Sequence, residues 1–269
     1  MINTYRTLAA VGLLLLSLTS CKKDDTVVTP PGPVTAIQTA VSVNVNANCG
    51  GFYKAVPTRY DSTTEKFPLL IFLHGGSELG NGTTDLAKIQ NTPVFSRLTN
   101  RTFPARFSSD GKDYSFIVVA PQFKKWPVSA DVDAIVEYSI QNLRVETSRI
   151  YVMGCSMGGG LAWEYGAAYA SKVAAIVPIC GASAPDLLRA QKIAAADLPV
   201  WAFHNTDDPT VSVNNTHTYV EAVNTQNPTI PALKTIWPTG GHDAWTKASD
   251  PSYRENGMNV YEWMLQYER

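Results

Sequence analysis

The stretch Tyr151-Val152-Met153-Gly154-Cys155-Ser156-Met157-Gly158-Gly159-Gly160 decides how this chain reads. It opens as a short apolar strand, places one serine inside Gly-x-Ser-x-Gly, and continues into small residues that open a helix. A strand that turns sharply into a helix forces the turn residue into strained backbone geometry. Small neighbours at Gly154 and Gly158 keep the surroundings from clashing with it. Such a turn, a nucleophile elbow, lifts a serine hydroxyl clear of the end of a sheet. Glycine and serine are common, however, and the pentapeptide alone also fits an ordinary loop.

Working outward, the flanking segments read as strands alternating with helices. Phe67 to Leu73 is a continuous apolar run, as expected for a parallel strand buried on both faces, and Phe116 to Pro121 is a second. Val173 to Ile179, Val200 to His204 and Leu233 to Trp237 are three further short strands, and Gly51 to Pro57 precedes them all. Ser129 is the expected N-cap of a helix that carries Val132, Ile135, Val136, Ile140 and Leu143 on one face. Met157 to Ala170 and Met258 to Tyr267 are expected helices, and residues 83–113 are expected to run irregularly over the top of the sheet. The alternation argues an α/β fold: a doubly wound, mostly parallel sheet with helices on both faces, in a single domain over residues 41–269.

A serine hydroxyl is a poor nucleophile until a base takes its proton and an acid orients the base. If the turn at Ser156 is a site, the acid and the histidine must follow it, each after a later strand. After the strand at Val200 comes His204-Asn205-Thr206-Asp207-Asp208-Pro209-Thr210-Val211, and after Trp237 comes Gly240-Gly241-His242-Asp243-Ala244-Trp245. Both fall on loops at the carboxyl ends of strands, where ligands gather in open α/β sheets. The strand ending at Leu73 runs into a glycine-dense loop, His74-Gly75-Gly76-Ser77-Glu78-Leu79-Gly80-Asn81-Gly82. His74 and His204 read as structural residues, and Glu78 as a solvated loop charge, with contact to substrate as the other reading. Trp126 and Trp245 are candidates for stacking on an aromatic acyl group or a sugar, with simple packing as the other reading. No His/Cys/Asp cluster has metal-site spacing and no phosphate-cradling loop precedes a lysine, so no metal or other cofactor is expected.

These pieces, in this order, resemble the α/β-hydrolase superfamily, and within it secreted bacterial esterases related to phospholipase/carboxylesterase and to feruloyl or acetylxylan esterases. The matching segments are Pro68 to Gly82, Gly154 to Gly159, His204 to Val211 and Gly241 to Trp245, and the likeness runs from about Gly51 to the C-terminus. It implies Ser156 as nucleophile, His242 as base, and backbone N–H groups of Gly76 and Met157 as the oxyanion hole. The family pattern His-Gly-x-x-Asp-x-x-Val maps onto His204, Asp208 and Val211, which selects Asp208 over Asp207 as the orienting acid. Asn205 departs from the glycine of that pattern. The implied activity is serine carboxyl-ester hydrolysis through an acyl-enzyme, on feruloyl or acetyl esters of polysaccharides or on small esters. The alternatives are a serine peptidase of related fold and a non-catalytic glycan-binding surface lipoprotein.

The composition argues against a nucleic-acid partner, and the N-terminus points to work outside the cytoplasm. A formal net charge of -1 and scattered lysines and arginines offer no basic patch for a nucleic acid. Arg6 precedes an apolar run from Leu8 to Leu18 that is short for a membrane span, and Leu18-Thr19-Ser20-Cys21 follows. This resembles a bacterial lipobox: residues 1–21 form a lipoprotein signal ending at a lipidated Cys21, and residues 22–40 form a flexible tether. The expected location is the bacterial envelope, lipid-anchored through Cys21 at the outer membrane or cell surface, with a secreted or periplasmic protein as the alternative. Cys49, Cys155 and Cys180 remain, an odd number that excludes full internal pairing; Cys155 and Cys180 read either as a disulfide or as two buried thiols.

Overall fold

The computed structural model describes residues 35–269. The expected signal, the lipidated Cys21 and most of the expected tether lie outside the described residues. The first strand, β1 (Ala36–Val41), pairs antiparallel with β2 (Cys49–Pro57), from Ala36 opposite Pro57 to Val41 opposite Phe52. The sheet therefore begins inside the segment read as tether up to residue 40. The sequence signal there is weak because β1 is an edge strand: Ile37 faces outward at 43% exposure, and the ladder to β2 holds the strand in place.

The chain continues through β3 (Phe67–Leu73), α1 (Pro93–Thr99), the hairpin β4 (Phe107–Ser109) and β5 (Lys112–Tyr114), β6 (Ile117–Phe123), α2 (Ser129–Asn142) and β7 (Val145–Cys155). It ends through α3 (Met157–Ala168), β8 (Ala175–Ile179), α4 (Leu187–Ala195), β9 (Trp201–Asn205), α5 (Val213–Asn224), β10 (Leu233–Trp237), α6 (Trp245–Ala248) and α7 (Val260–Met264). Eight strands form one sheet in the order β1-β2-β6-β3-β7-β8-β9-β10, antiparallel at the β1 and β2 edge and parallel elsewhere. The strand order reverses on either side of β3, so the chain winds both ways from the middle of the sheet.

Period-two alternation sends the apolar residues of one strand to two cores. Leu69, Ile71 and Leu73 of β3 join Ile150 and Val152 of β7 beneath α2, α3, α4 and α5. Leu70 and Phe72 join Tyr151 and Met153 on the other face, under α1, α6 and α7. The doubly wound, mostly parallel sheet with helices on both faces is as expected. Among the described residues, no helix is long and apolar enough to cross a membrane.

Three local expectations change. Residues 83–113, expected to be irregular, contain α1 and the β4–β5 hairpin, because Val94, Phe95 and Leu98 bury one face of α1. Ser129 is the first residue of α2 rather than its cap. The carboxylate of Asp131 instead accepts from the Val128 N–H at 3.0 Å and also takes bonds from the Asn46 and Asn48 side chains, tying the β1–β2 loop to the helix. The last helix is shorter than expected: Asn259 accepts from the N–H groups of Tyr261 and Glu262, so α7 starts at Val260.

Candidate active site

Ser156 sits between β7 and α3 with φ 53° and ψ -117°, a strained conformation for a side chain that is not glycine. The turn is closed by a hydrogen bond from the Ser156 N–H to the Ile179 carbonyl (2.9 Å), while its own carbonyl accepts from Gly160 and Ala182. Two glycines make room for it. A Cβ at Gly154 would lie 2.3 Å from the Gly158 carbonyl oxygen, and one at Gly158 would lie 2.1 Å from that of Leu73. α3 can therefore press directly on the ends of β3 and β7, which holds its N-terminus beside the serine.

The structure brings Ser156, His242 and Asp208 together from three separate loops. His242 Nε2 is 2.9 Å from Ser156 Oγ, and its Nδ1 is 2.7 Å from Asp208 Oδ2. With Nδ1–H donating to the carboxylate, Nε2 is left to accept the serine proton. Of the two adjacent aspartates, Asp208 is the one bonded to the ring. Its other oxygen accepts from the N–H groups of Thr210 (2.8 Å) and Val211 (3.0 Å). Burial by itself pushes this carboxyl up, but the bonds from His242, Val211 and Thr210 outweigh it and hold Asp208 below the ordinary carboxylate range.

The flanking polar residues hold this geometry. His204 is fully buried at the end of β9; its Nε2–H is shared between Asp208 Oδ2 (3.1 Å) and the Val211 carbonyl (3.0 Å), while Nδ1 accepts from the Thr216 hydroxyl. Burial lowers its pKa, so it stays neutral and donates to the acid. Asp207 accepts from the N–H of Gly241 at 2.8 Å and from that of Gly240 at 3.3 Å. Asn205, the departure from the family pattern, donates from Nδ2 to the Gly241 carbonyl at 3.0 Å. Asn205 and Asp207 together clamp the turn that leads into His242. Gly240 lies against Asn205 so closely that a Cβ there would come within 2.5 Å of its Nδ2.

The loop after β3 is braced in the same way. His74 is buried and donates from Nδ1 to the Gly75 carbonyl at 2.6 Å, while Nε2 accepts from the Phe123 N–H at 3.1 Å. Both bonds belong to a neutral ring, and burial lowers its pKa accordingly. Gln122, which sequence reading missed, is fully buried in β6. It donates to the carbonyls of Glu78 (2.9 Å) and Asp85 (2.8 Å) and accepts from the Gly82 N–H (2.9 Å). Its one signal in the sequence was an amide inside an apolar run.

A cavity of about 300 Å³ opens over Ser156 and His242; Gly75, Gly76, Glu78, Pro93 and Trp245 also line it. Gly76 thus borders the space beside the serine, and Met157 occupies the first position of α3, where helical N–H groups lack intrahelical partners. Trp245 stands edge-on to His242, with ring centroids 5.2 Å apart. Trp126 is 56% exposed and is not among the residues that line the cavity. Cys155 and Cys180 are buried free thiols, as is Cys49. Cys180, Asp208 and His242 bring ligand-type atoms within 4.8 Å of one another. They make a poor metal set, because burial pushes the Cys180 thiol up to about 12 and the ring nitrogens of His242 are both engaged.

Residues 105–228 match the family model described as the alpha/beta hydrolase fold. A bifunctional acetylxylan esterase/xylanase of Neocallimastix patriciarum is 26% identical over 150 residues, which cover 52% of this chain and 19% of that protein. The chain thus spans under a fifth of that curated relative's length. Among solved structures, a thermostable esterase superposes with a TM-score of 0.65 at 20% identity, covering 87% of this chain and 64% of the other. A feruloyl esterase module from Clostridium thermocellum, complexed with sinapinate, superposes with a TM-score of 0.60 at 16% identity, covering 82% and 86% of the two chains.

Proposed function

We propose that this chain, which has the α/β-hydrolase fold, is a serine carboxyl-ester hydrolase that works through an acyl-enzyme. The observation that carries the reading is the unbroken hydrogen-bond chain from Ser156 through His242 to Asp208, opening into a cavity beside Gly76.

In this mechanism Ser156 Oγ attacks the ester carbonyl carbon as its proton passes to His242 Nε2. The carbonyl π electrons move onto oxygen, and the N–H groups of Gly76 and Met157 stabilise that charge; one such donor is worth about 10²–10³ in rate. Asp208 holds the imidazole in the right tautomer and stabilises the imidazolium without taking the proton. The tetrahedral intermediate collapses, the C–O bond to the alcohol breaks, and His242 protonates the leaving oxygen. Water, deprotonated by the same nitrogen, then attacks the acyl-enzyme; the acid is released and Ser156 recovers its proton.

The names of the relatives support acetyl or feruloyl esters of polysaccharides as the substrate class, with small esters as surrogates. Trp245, edge-on beside the base, is the candidate for stacking on the substrate. The signal-like N-terminus supports action outside the cytoplasm from a membrane anchor at Cys21, a lipidation that palmitate labelling of wild type against Cys21→Ser tests directly. For the chemistry, Ser156→Ala is expected to abolish both p-nitrophenyl butyrate hydrolysis and labelling by a fluorophosphonate probe. Turnover by that variant equal to wild type would refute the assignment.

A further inference from the structure

One carboxylate lines the cavity beside Ser156 and takes no part in the proposed acyl transfer. Glu78 ends a short 3-10 turn, Gly76–Glu78, and its backbone is held at both ends. Its N–H donates to the Gly75 carbonyl, and its carbonyl accepts from the buried Gln122 amide at 2.9 Å. The side chain is held as well: Oε1 accepts from the Ser77 hydroxyl at 2.6 Å. A Cβ built on Gly75 would meet Glu78 Oε2 at 3.3 Å and Ser156 Cβ at 3.7 Å, so the carboxylate oxygen is within the sum of those two distances of Ser156 Cβ. Among the described residues that line the cavity there is no lysine or arginine, and Asn91, Thr92, Pro93 and Trp245 add neutral surface to its lining.

From this placement we propose that Glu78 is a specificity-determining residue. It disfavours esters that carry a negative charge near the scissile bond and favours neutral or cationic ones that present hydroxyl or other donors to the carboxylate. The inference rests on the ester-hydrolase reading and narrows its substrate class to esters without negative charge near the scissile bond, acylated neutral sugars among them. The physical cause is Coulombic. At about 7 Å and an effective dielectric of about 20, like-charge repulsion corresponds to roughly fiftyfold in rate, and solvent in an open cleft brings this nearer tenfold.

The test measures kcat/KM by pH-stat for two nearly isosteric pairs. Monomethyl succinate against dimethyl succinate places the charge on the acyl side; acetylcholine against 3,3-dimethylbutyl acetate places it on the alcohol side. The readout is the change in each charged-to-neutral ratio between wild type and Glu78→Gln, which cancels intrinsic reactivity. Removing the carboxylate is expected to move at least one ratio by about tenfold, raising that of the anion or lowering that of the cation. Shifts below about threefold in both pairs would overturn the inference. Should Glu78→Gln fail to fold, raising the salt concentration with wild type must move the same ratios in the same directions, and invariance would overturn it equally. Wild type inactive on every neutral ester would sink the hydrolase reading and this inference with it, whereas retained turnover with unmoved ratios sinks the inference alone.

Discussion

Asp207 and Asp208 are neighbours in sequence with separate tasks in space. Asp208 takes the Nδ1–H of His242 and the Nε2–H of His204, and Asp207 takes the backbone N–H groups of Gly240 and Gly241. Replacing the carboxylate of Asp208 with an amide lets the ring adopt the wrong tautomer, with Nε2 protonated toward the serine. Asp208→Asn is therefore expected to cut kcat on p-nitrophenyl butyrate by about 10³–10⁴ with KM little changed. Asp207→Asn should cost no more than about 10²-fold, since its partners are backbone groups whose shift only displaces the base. Equal losses in the two variants would contradict this division of labour. The serine and both aspartates stand in legible motifs; spacing alone left the two acids open, the family pattern pointed to Asp208, and the β9 and β10 ends bring that residue to the histidine.

The elbow depends on how closely α3 rests on the sheet. Gly158 packs against the backbone carbonyl of Leu73, which cannot swing aside as a side chain would. Gly158→Ala is expected to lower the unfolding free energy by about 1–3 kcal/mol, read from urea melts, and to reduce activity as α3 and Ser156 are pushed outward. A wild-type melt would show that the contact has slack. The clamp between β9 and the turn before α6 gives a different signature. Asn205→Gly restores the residue of the family pattern but removes the bond to the Gly241 carbonyl. It is expected to lower kcat by about tenfold or more while shifting stability by only about 1 kcal/mol. A variant with unchanged kcat would show that Asp207 alone positions the turn.

Across the whole molecule, two neutral histidines are enclosed in the fold, His74 on the β3 loop and His204 on β9. Burial holds both below the ordinary value of 6.5, so the unfolded chain binds protons that the folded one refuses. The sign follows directly: stability rises with pH between the lowered folded values and 6.5, and falls as the solution is acidified through that window. Each histidine contributes a slope of up to about 1.4 kcal/mol per pH unit. Urea melts from pH 7 to pH 5 are expected to show this loss, and His74→Gln, which cannot protonate there, should have a shallower slope. A wild-type slope retained in that variant would show that His74 is not one of the linked groups.

The amino-acid sequence by itself determined the alternation of strands and helices, the doubly wound sheet, and which turn could expose a serine, because apolar periodicity and obligatory glycines are local signals. Tertiary structure decided what depends on surfaces meeting at long range. β1 forms because β2 offers its edge, and Gln122 is tolerated inside β6 because three loop groups satisfy its amide. Trp245, not Trp126, borders the cavity because α6 packs next to His242 while Trp126 stays in solvent. Glu78 read as a solvated charge; whether a loop carboxylate faces bulk water or a serine 78 residues downstream is set by how β3 and β7 pair, in parallel from Leu69 opposite Ile150 to Leu73 opposite Gly154.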